Sequence, residues 1–175
     1  TVTGVQTCAL PICSGESGNR THGVAVVDLS GPEPRERAFL EQPVFPAACA
    51  LSPDGKRLVV MNWESKHATG PIVYDLAANP PAEIARGTVK GAHYHVRYAP
   101  DGKYFMMDNQ LFTFDGDKLT AKTVSKNGQI SESAFSADCR SLAICDVVGG
   151  GDKIALNVYD LSGAEPTPLD PPASS

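Results

Sequence analysis

A turn sequence that returns at near-regular intervals constrains this chain more than any other feature. "LSPDGKRLVVMN" begins at Leu51, "YAPDGKYFMMDN" at Tyr98, and a degraded "FSADCRSLAICD" at Phe135. A second motif interleaves with it: "VAVVDLSG", "PIVYDLAA", "LFTFDGDK" and "LNVYDLSG". Its aspartates, Asp28, Asp75, Asp115 and Asp160, stand 47, 40 and 45 residues apart. Repeats of about 40–50 residues built from strands are the mark of propeller blades.

The turn chemistry explains why the repeat takes this form. Proline presets φ for a turn, aspartate bonds the local backbone, and glycine supplies the positive φ that a short hairpin loop needs. Before the turn comes an alternating strand, with Leu51, Tyr98 and Phe135 at one equivalent position. After it comes a mostly apolar strand: Leu58–Met61, Tyr104–Met107 and Leu142–Cys145. Apolarity on both faces requires burial on both faces, which stacked sheets provide.

Each repeat therefore reads as four strands. Strand a lies near Ala47–Ser52, Tyr94–Ala99 and Ser131–Ser136; strand b follows the turn; strand c carries the aspartate. Strand d lies near Arg37–Leu40, Glu83–Arg86 and Leu119–Val124, and a last strand near Pro166–Leu169 is weakened by its prolines. The expected fold is all-β, a partial β-propeller of about three and a half four-stranded antiparallel blades. The expected divisions are 22–45 for the outer strands of an incomplete blade, 46–90, 91–128 and 129–170 for three blades, and 171–175 for a tail. The competing architecture is an open β-sandwich with coincidental turns. In the third repeat Cys139 replaces the turn glycine, so that turn either changes type or carries strain.

Residues 1–21 are read apart from the repeats. "VTGVQTCALPI", Val2–Ile12, has no charge and no period, and its proline and Gly4 argue against a strand. It resembles, residue for residue, the conceptual translation of a sequencing-library adapter, and such segments are excluded from fold reasoning. The expectation is an artefactual or disordered stretch, and a chain that is part of a larger ring. Setting it aside removes Cys8 and Cys13 and leaves Cys49, Cys139 and Cys145. Three cysteines with no C-x-x-C give no disulfide framework and no usual zinc spacing.

The chain of 175 residues has 15 Lys and Arg against 20 Asp and Glu, a net charge of −5. That balance argues against nucleic acid as the main partner. No run approaches the roughly 20 apolar residues of a membrane span. There is no G-x-S-x-G, no His-Glu-x-x-His and no phosphate-binding glycine loop, since Gly149–Gly151 lack the following Lys-Ser/Thr. No cofactor is expected.

"LSPDGKRL" and "YAPDGKYF" resemble the PD40, WD40-like propeller repeats of bacterial proteins of the TolB type, over most of Gly23–Gly163. The resemblance implies a propeller, and it leans toward a periplasmic or secreted location. For function it implies little, because such propellers serve as scaffolds, lactonases, dehydrogenase subunits and peptidase gates.

Strand direction locates the surface to search. The a–b and c–d turns share one end of each sheet; the b–c and d–a links share the other. From turn to aspartate the counts are 22, 15 and 23 residues, the extra residues being "WESKHATG" and "VVGGGDK". Variable connections on a rigid scaffold commonly carry binding. The candidates at that end are Asn62, Asn109 and Asp146, which share one repeat position, and Trp63 and His67 in the first long connection. His93 and His95 in "HYHV" lie on one face of strand a, with Glu132 at the position of His95 in the next repeat. Two histidines and a carboxylate could hold a metal or act as acid and base, making His95 and Glu132 the catalytic candidates and His93 and His95 the metal candidates. The bland alternatives are Asx caps, channel-lining histidines and a tryptophan folded over its own blade.

The expected function is a rigid platform that binds a protein or small-molecule ligand at the b–c and d–a end. The alternative is part of a propeller hydrolase, lactonase or oxidoreductase with a channel site near His93 and His95. The expected structural partners are further blades of the same chain or a second copy.

Overall fold

The computed structural model describes residues 7–14, 21–64, 67–89, 95–115, 118–125, 130–148 and 153–169. It is made of antiparallel sheets that follow one another along the chain, in two compact units, 1–90 and 91–175.

The first unit holds β1 (Thr7–Ser14), β2 (Thr21–Asp28) and β3 (Arg35–Gln42) in one sheet. Its second sheet holds β4 (Phe45–Leu51), β5 (Arg57–Glu64), β6 (His67–Asp75) and β7 (Ala82–Arg86), ordered β4-β5-β6-β7. The second unit holds β8 (Val96–Tyr98), β9 (Tyr104–Met107), β10 (Gln110–Asp115) and β11 (Lys118–Thr123) in one sheet. The other comprises β12 (Ile130–Phe135), β13 (Ser141–Val148), β14 (Lys153–Asp160) and β15 (Thr167–Leu169). Every described ladder is antiparallel between strands adjacent in sequence.

The three complete meanders match the four-strand reading. Thr167–Leu169 is a strand despite Pro168, because it is the edge of its sheet, where a missing N–H breaks no essential ladder. The incomplete blade differs from its expectation. Residues 7–14 pair with β2 over eight positions, from Thr7 opposite Asp28 to Ser14 opposite Thr21. Pro11 had argued against a strand here, but β1 is again a sheet edge.

One packing device serves both units. In the first, Leu58, Val60 and Leu76 of the four-stranded sheet pack on Val24, Val26 and Leu40 of the preceding sheet, with Tyr74 alongside. In the second, Leu142, Ile144, Tyr159 and Leu161 pack on Met106 and Leu111. Leu58, Val60, Tyr74 and Leu76 occupy the same repeat positions as Leu142, Ile144, Tyr159 and Leu161. The apolar residues after the turn are thus the contact layer between stacked sheets. Each such buried side chain contributes about 1.5–3 kcal/mol.

Two of the three turns share a serine-centred structure, and the middle one, with Ala99 in place of the serine, keeps the aspartate bond through Lys103 N to Asp101 Oδ1 at 3.0 Å. Ser52 Oγ donates to Asp54 Oδ1 at 2.6 Å, and Asp54 Oδ1 accepts from Lys56 N at 3.0 Å. Arg57 N then donates to Ser52 Oγ at 2.9 Å. Ser136, Asp138, Arg140 and Ser141 repeat the pattern at 2.6, 3.1 and 2.9 Å. The serine hydroxyls are the main reason that Asp54 and Asp138 sit below the usual carboxylate range. Gly55 and Gly102 supply φ of 68° and 70°, and their N–H groups close on Ser52 O and Ala99 O. Cys139 closes on Ser136 O in the same way and adopts φ of 58°. The third turn therefore keeps its type and strains its cysteine.

Cys139→Gly is expected to stabilise the protein by about 1 kcal/mol, the cost of a side chain in the left-handed region. The thermal midpoint should rise by about 2–4 °C. Gly102→Ala should lower it, because alanine meets the same strain. Thermal unfolding followed by circular dichroism checks both, and an unchanged midpoint in Cys139→Gly would show that the turn carries no strain.

Candidate functional site

The described parts of the long b–c connections are strand. β5 and β6 run on to Glu64 and His67, with Trp63 opposite Ala68 and Glu64 opposite His67. β13 and β14 run on to Val148 opposite Lys153. The sequence reading placed Trp63 and His67 in a loop; both are strand residues of an extended hairpin. The reason is local: tryptophan and threonine favour strands, and the alternation simply continues.

The hairpin carries an aromatic group at the b–c and d–a end of the first unit. Phe45, the first residue of β4, lies directly opposite Trp63. Its ring meets His22 edge-on, with centroids 6.3 Å apart and planes at 89°. Phe45 is 44% exposed, unusual for a large apolar side chain next to a sheet. Neither Phe45 nor His22 was a candidate from sequence. "PVFPAA" interrupts the alternation of strand a, and that break was the available signal.

Asn62 sits behind this group, buried, with its amide nitrogen donating to Gln42 Oε1 at 2.9 Å. Gln42 in turn donates to Tyr74 Oη at 2.8 Å. Asp146, equally buried, accepts from Asn157 Nδ2 at 2.6 Å. Asn62 and Asp146 thus lie on the faces that pack on a preceding sheet. Asn109 differs because β9 is shorter: Asp108 and Asn109 form a two-residue hairpin loop, with Asp108 at φ of 53°. Asn109 Nδ2 donates to Ser125 O at 3.2 Å, and Asp108 is the fully buried carboxylate of that sheet. Asn109 therefore lies in a turn, whereas Asn62 and Asp146 each lie within a strand of their own sheet.

The second unit brings His95 and Glu132 together. His95 Nδ1 is 3.8 Å from Glu132 Oε2, and Arg97 reaches the same oxygen at 3.5 Å. On its other side the imidazole shares a 2.6 Å hydrogen bond with Ser133 Oγ, linking the residue just before β8 to β12 of the next sheet. His95 and Ser133 are buried, whereas Glu132 and Arg97 are exposed. Burial pushes the His95 imidazole down from its ordinary value, Glu132 opposes that, and Arg97 adds a smaller lowering. His93 lies outside the described residues. Among the described residues no three His, Cys, Asp or Glu side chains group as metal ligands.

Ser133 pairs with Ile144, so its hydroxyl shares Ile144's face, toward the preceding sheet. A shallow cavity of about 280 Å³ opens on the opposite face, lined by Arg97, Glu132, Ala134, Ala143, Cys145 and Leu156, with Ser133 at its wall. Among the described residues no helix is long and apolar enough to cross a membrane.

The chain matches no family model and no curated protein. Its fold does match solved structures. It covers 86% of its length on 55% of the β-propeller domain of Myceliophteria thermophila Cps50 (Swd1), at 14% identity and a TM-score of 0.59. The periplasmic gluconolactonase of Pseudomonas aeruginosa aligns over 93% of this chain and 53% of its own, at 15% identity and a TM-score of 0.59. Chaetomium thermophilum Sqt1, solved bound to the N-terminus of ribosomal protein L10, aligns over 89% and 42%, at 16% identity and a TM-score of 0.58. The fold is a partial β-propeller, and the chain spans about half the length of the propellers it matches.

A buried neutral histidine ties stability to pH. The unfolded imidazole titrates near 6.5, the folded one lower, so the unfolded state takes up the proton first. Stability is expected to decline as pH falls below about 6.5. In His95→Gln, which keeps an amide near Ser133, that decline should be reduced. Denaturant unfolding from pH 7.5 to 5 compares the two; identical slopes would mean that His95 titrates as in solution.

Proposed function

We propose that the chain belongs to a PD40-type propeller that serves as a rigid binding platform, presenting the end marked by Phe45, Trp63 and His67 to a protein or small-molecule ligand. The observation that carries this reading is the exposed Phe45, held edge-on by His22 and set across from Trp63. Aromatic side chains fixed by a sheet lose little entropy on binding and make strong anchors. The propeller of Sqt1, which holds a protein segment, offers a precedent of the same fold.

One observation favours the enzymatic alternative: a buried imidazole beside a carboxylate, in a fold shared with a gluconolactonase. Against it, the imidazole already bonds Ser133, whose hydroxyl faces a packed layer. Lactone hydrolysis assayed with and without added divalent metal separates the readings. A rate above buffer that His95→Ala abolishes would favour the enzyme.

The platform is tested by selecting peptide binders from a displayed library. Trp63 is the chain's single tryptophan, so its emission reports directly on that end. Binders should shift the emission, and Phe45→Ala and Trp63→Ala should each weaken them about 30-fold, as for an anchor residue. Binders indifferent to both variants would sink the proposal.

A further inference from the structure

A cleft of about 480 Å³ in the first unit runs along the free edge of β3. Consecutive β3 residues, 37–41, form one wall, and Tyr74 with residues 79–81 of the next sheet form the other. Successive strand side chains point to opposite faces, so a cleft that touches every residue of such a run follows the backbone edge and not a face. The cavity at the corresponding place in the second unit differs: from β11 it touches only Thr120 and Lys122, which share one face. By repeat position β2 and β3 are strands c and d, and strand d is an edge of each four-stranded sheet, as β7, β11 and β15 show. The free edge therefore belongs to the repeat, whatever precedes the sequence. Among the described residues no strand pairs with β3 on that side.

The two ends of the cleft carry opposite charges. Arg37 is the extra residue of a bulge, where Ala38 pairs with Val26 and Glu36 with Val27. Its guanidinium crosses to the next sheet and donates to Leu76 O, which fixes it and leaves its other donors for a ligand. Glu41 stands roughly 13 Å further along the strand, at about 3.3 Å per residue. Both residues are exposed, and among the described residues neither belongs to an ion pair. We infer that this edge takes up an extended peptide segment as an added antiparallel strand, with an acidic residue opposite Arg37 and a basic residue opposite Glu41. Two requirements select that occupant. The N–H and C=O groups of an open edge are matched by another extended backbone. Opposite charges directly across a strand pair then fix its register and direction. A cation and an anion this far apart call for a ligand that spans them, which a small ion does not. The site uses none of Phe45, Trp63 and His67, so it stands or falls apart from the binding end proposed above.

The probe is a fluorescein-labelled synthetic peptide, Thr-Arg-Val-Thr-Val-Glu-Thr, whose arginine and glutamate reach Glu41 and Arg37 in the antiparallel register. Fluorescence anisotropy is followed as the full chain is added from about 1 µM to 1 mM, a range that covers weak strand addition. Saturable binding is expected. A peptide with glutamine at both charged positions should bind about three- to tenfold more weakly, as two partly exposed ion pairs allow. N-methylation of the amides that face β3 should abolish binding, because it removes the donors and leaves the charges. Glu41→Lys should weaken the original peptide by about the same factor as its glutamine form, and Phe45→Ala should leave it unchanged. Arg37→Glu with Glu41→Lys should prefer the peptide with its arginine and glutamate exchanged. Circular dichroism verifies folding, and Glu41→Lys alone carries the test if loss of the Arg37 tie unfolds the chain. Hydrogen exchange should slow in β3 when peptide is bound. Absence of binding at 1 mM overturns the inference, as does binding indifferent to the peptide's charges, to Glu41→Lys or to N-methylation. Sedimentation of the chain alone tests the rival occupant: a dimer that the peptide dissolves would assign the edge to a second copy and overturn the inference.

Discussion

Everything in this chain depends on apolar contact between the faces of successive sheets. A single four-stranded meander would leave Leu58 and Val60, or Leu142 and Ile144, in water on one side. Stacking removes them from it, and the gain scales with area. Because the contact uses the same repeat positions in both units, the registers of turn and strand are tied to it. Slipping β13 by one residue would turn Leu142 and Ile144 outward and Ala143 and Cys145 inward. The turn motif, with its serine, aspartate and left-handed third residue, holds that register in place.

Polar groups follow the same geometry. Asn62 and Asp146 point in the direction of Leu58 and Leu142, into packed layers, so their bonds are made with side chains held close by: Gln42 for one, Asn157 for the other. His95, just before the three-residue β8, and Ser133 of β12 add a polar tie between two sheets. A buried polar pair of this kind is modest in net energy, but leaving either member without the other would be costly. The aromatic group of Phe45, Trp63 and His22 is the reverse case, with apolar surface left in water at the rim of a sheet.

Much of the fold was legible because its signals are local. "SPDGK" names a turn by the conformational limits of each residue, and the residues after it name a buried strand. Spacing of the aspartates then counts the sheets. Four things were harder to see. Thr7–Ser14 has no alternation to mark it as a strand, and its pairing with β2 is made by backbone groups, which the side-chain pattern does not report. Trp63 and His67 seemed part of a loop because the repeat lengthens there, whereas the hairpin itself lengthens. Asn109 shares a repeat position with Asn62 and Asp146 but not their place within a strand, since β9 ends early and Asp108 is the buried residue there. The repeat aligns Glu132 with His95, which left open whether the two meet; the bond to Ser133 could not be read from it, because it joins sheets whose stacking sequence alone does not specify.

Each described sheet is a meander whose strands pair only with their neighbours in sequence. For an all-β protein this keeps pairing separations short, since no ladder waits for a distant segment to arrive. Loop-closure entropy is correspondingly small, and folding can proceed sheet by sheet as the chain emerges, the first sheet of each unit offering a surface for the second. A chain organised in this way can also gain or lose whole repeats without cutting a ladder. Variation in repeat number is therefore a more accessible route of change for it than variation within a sheet.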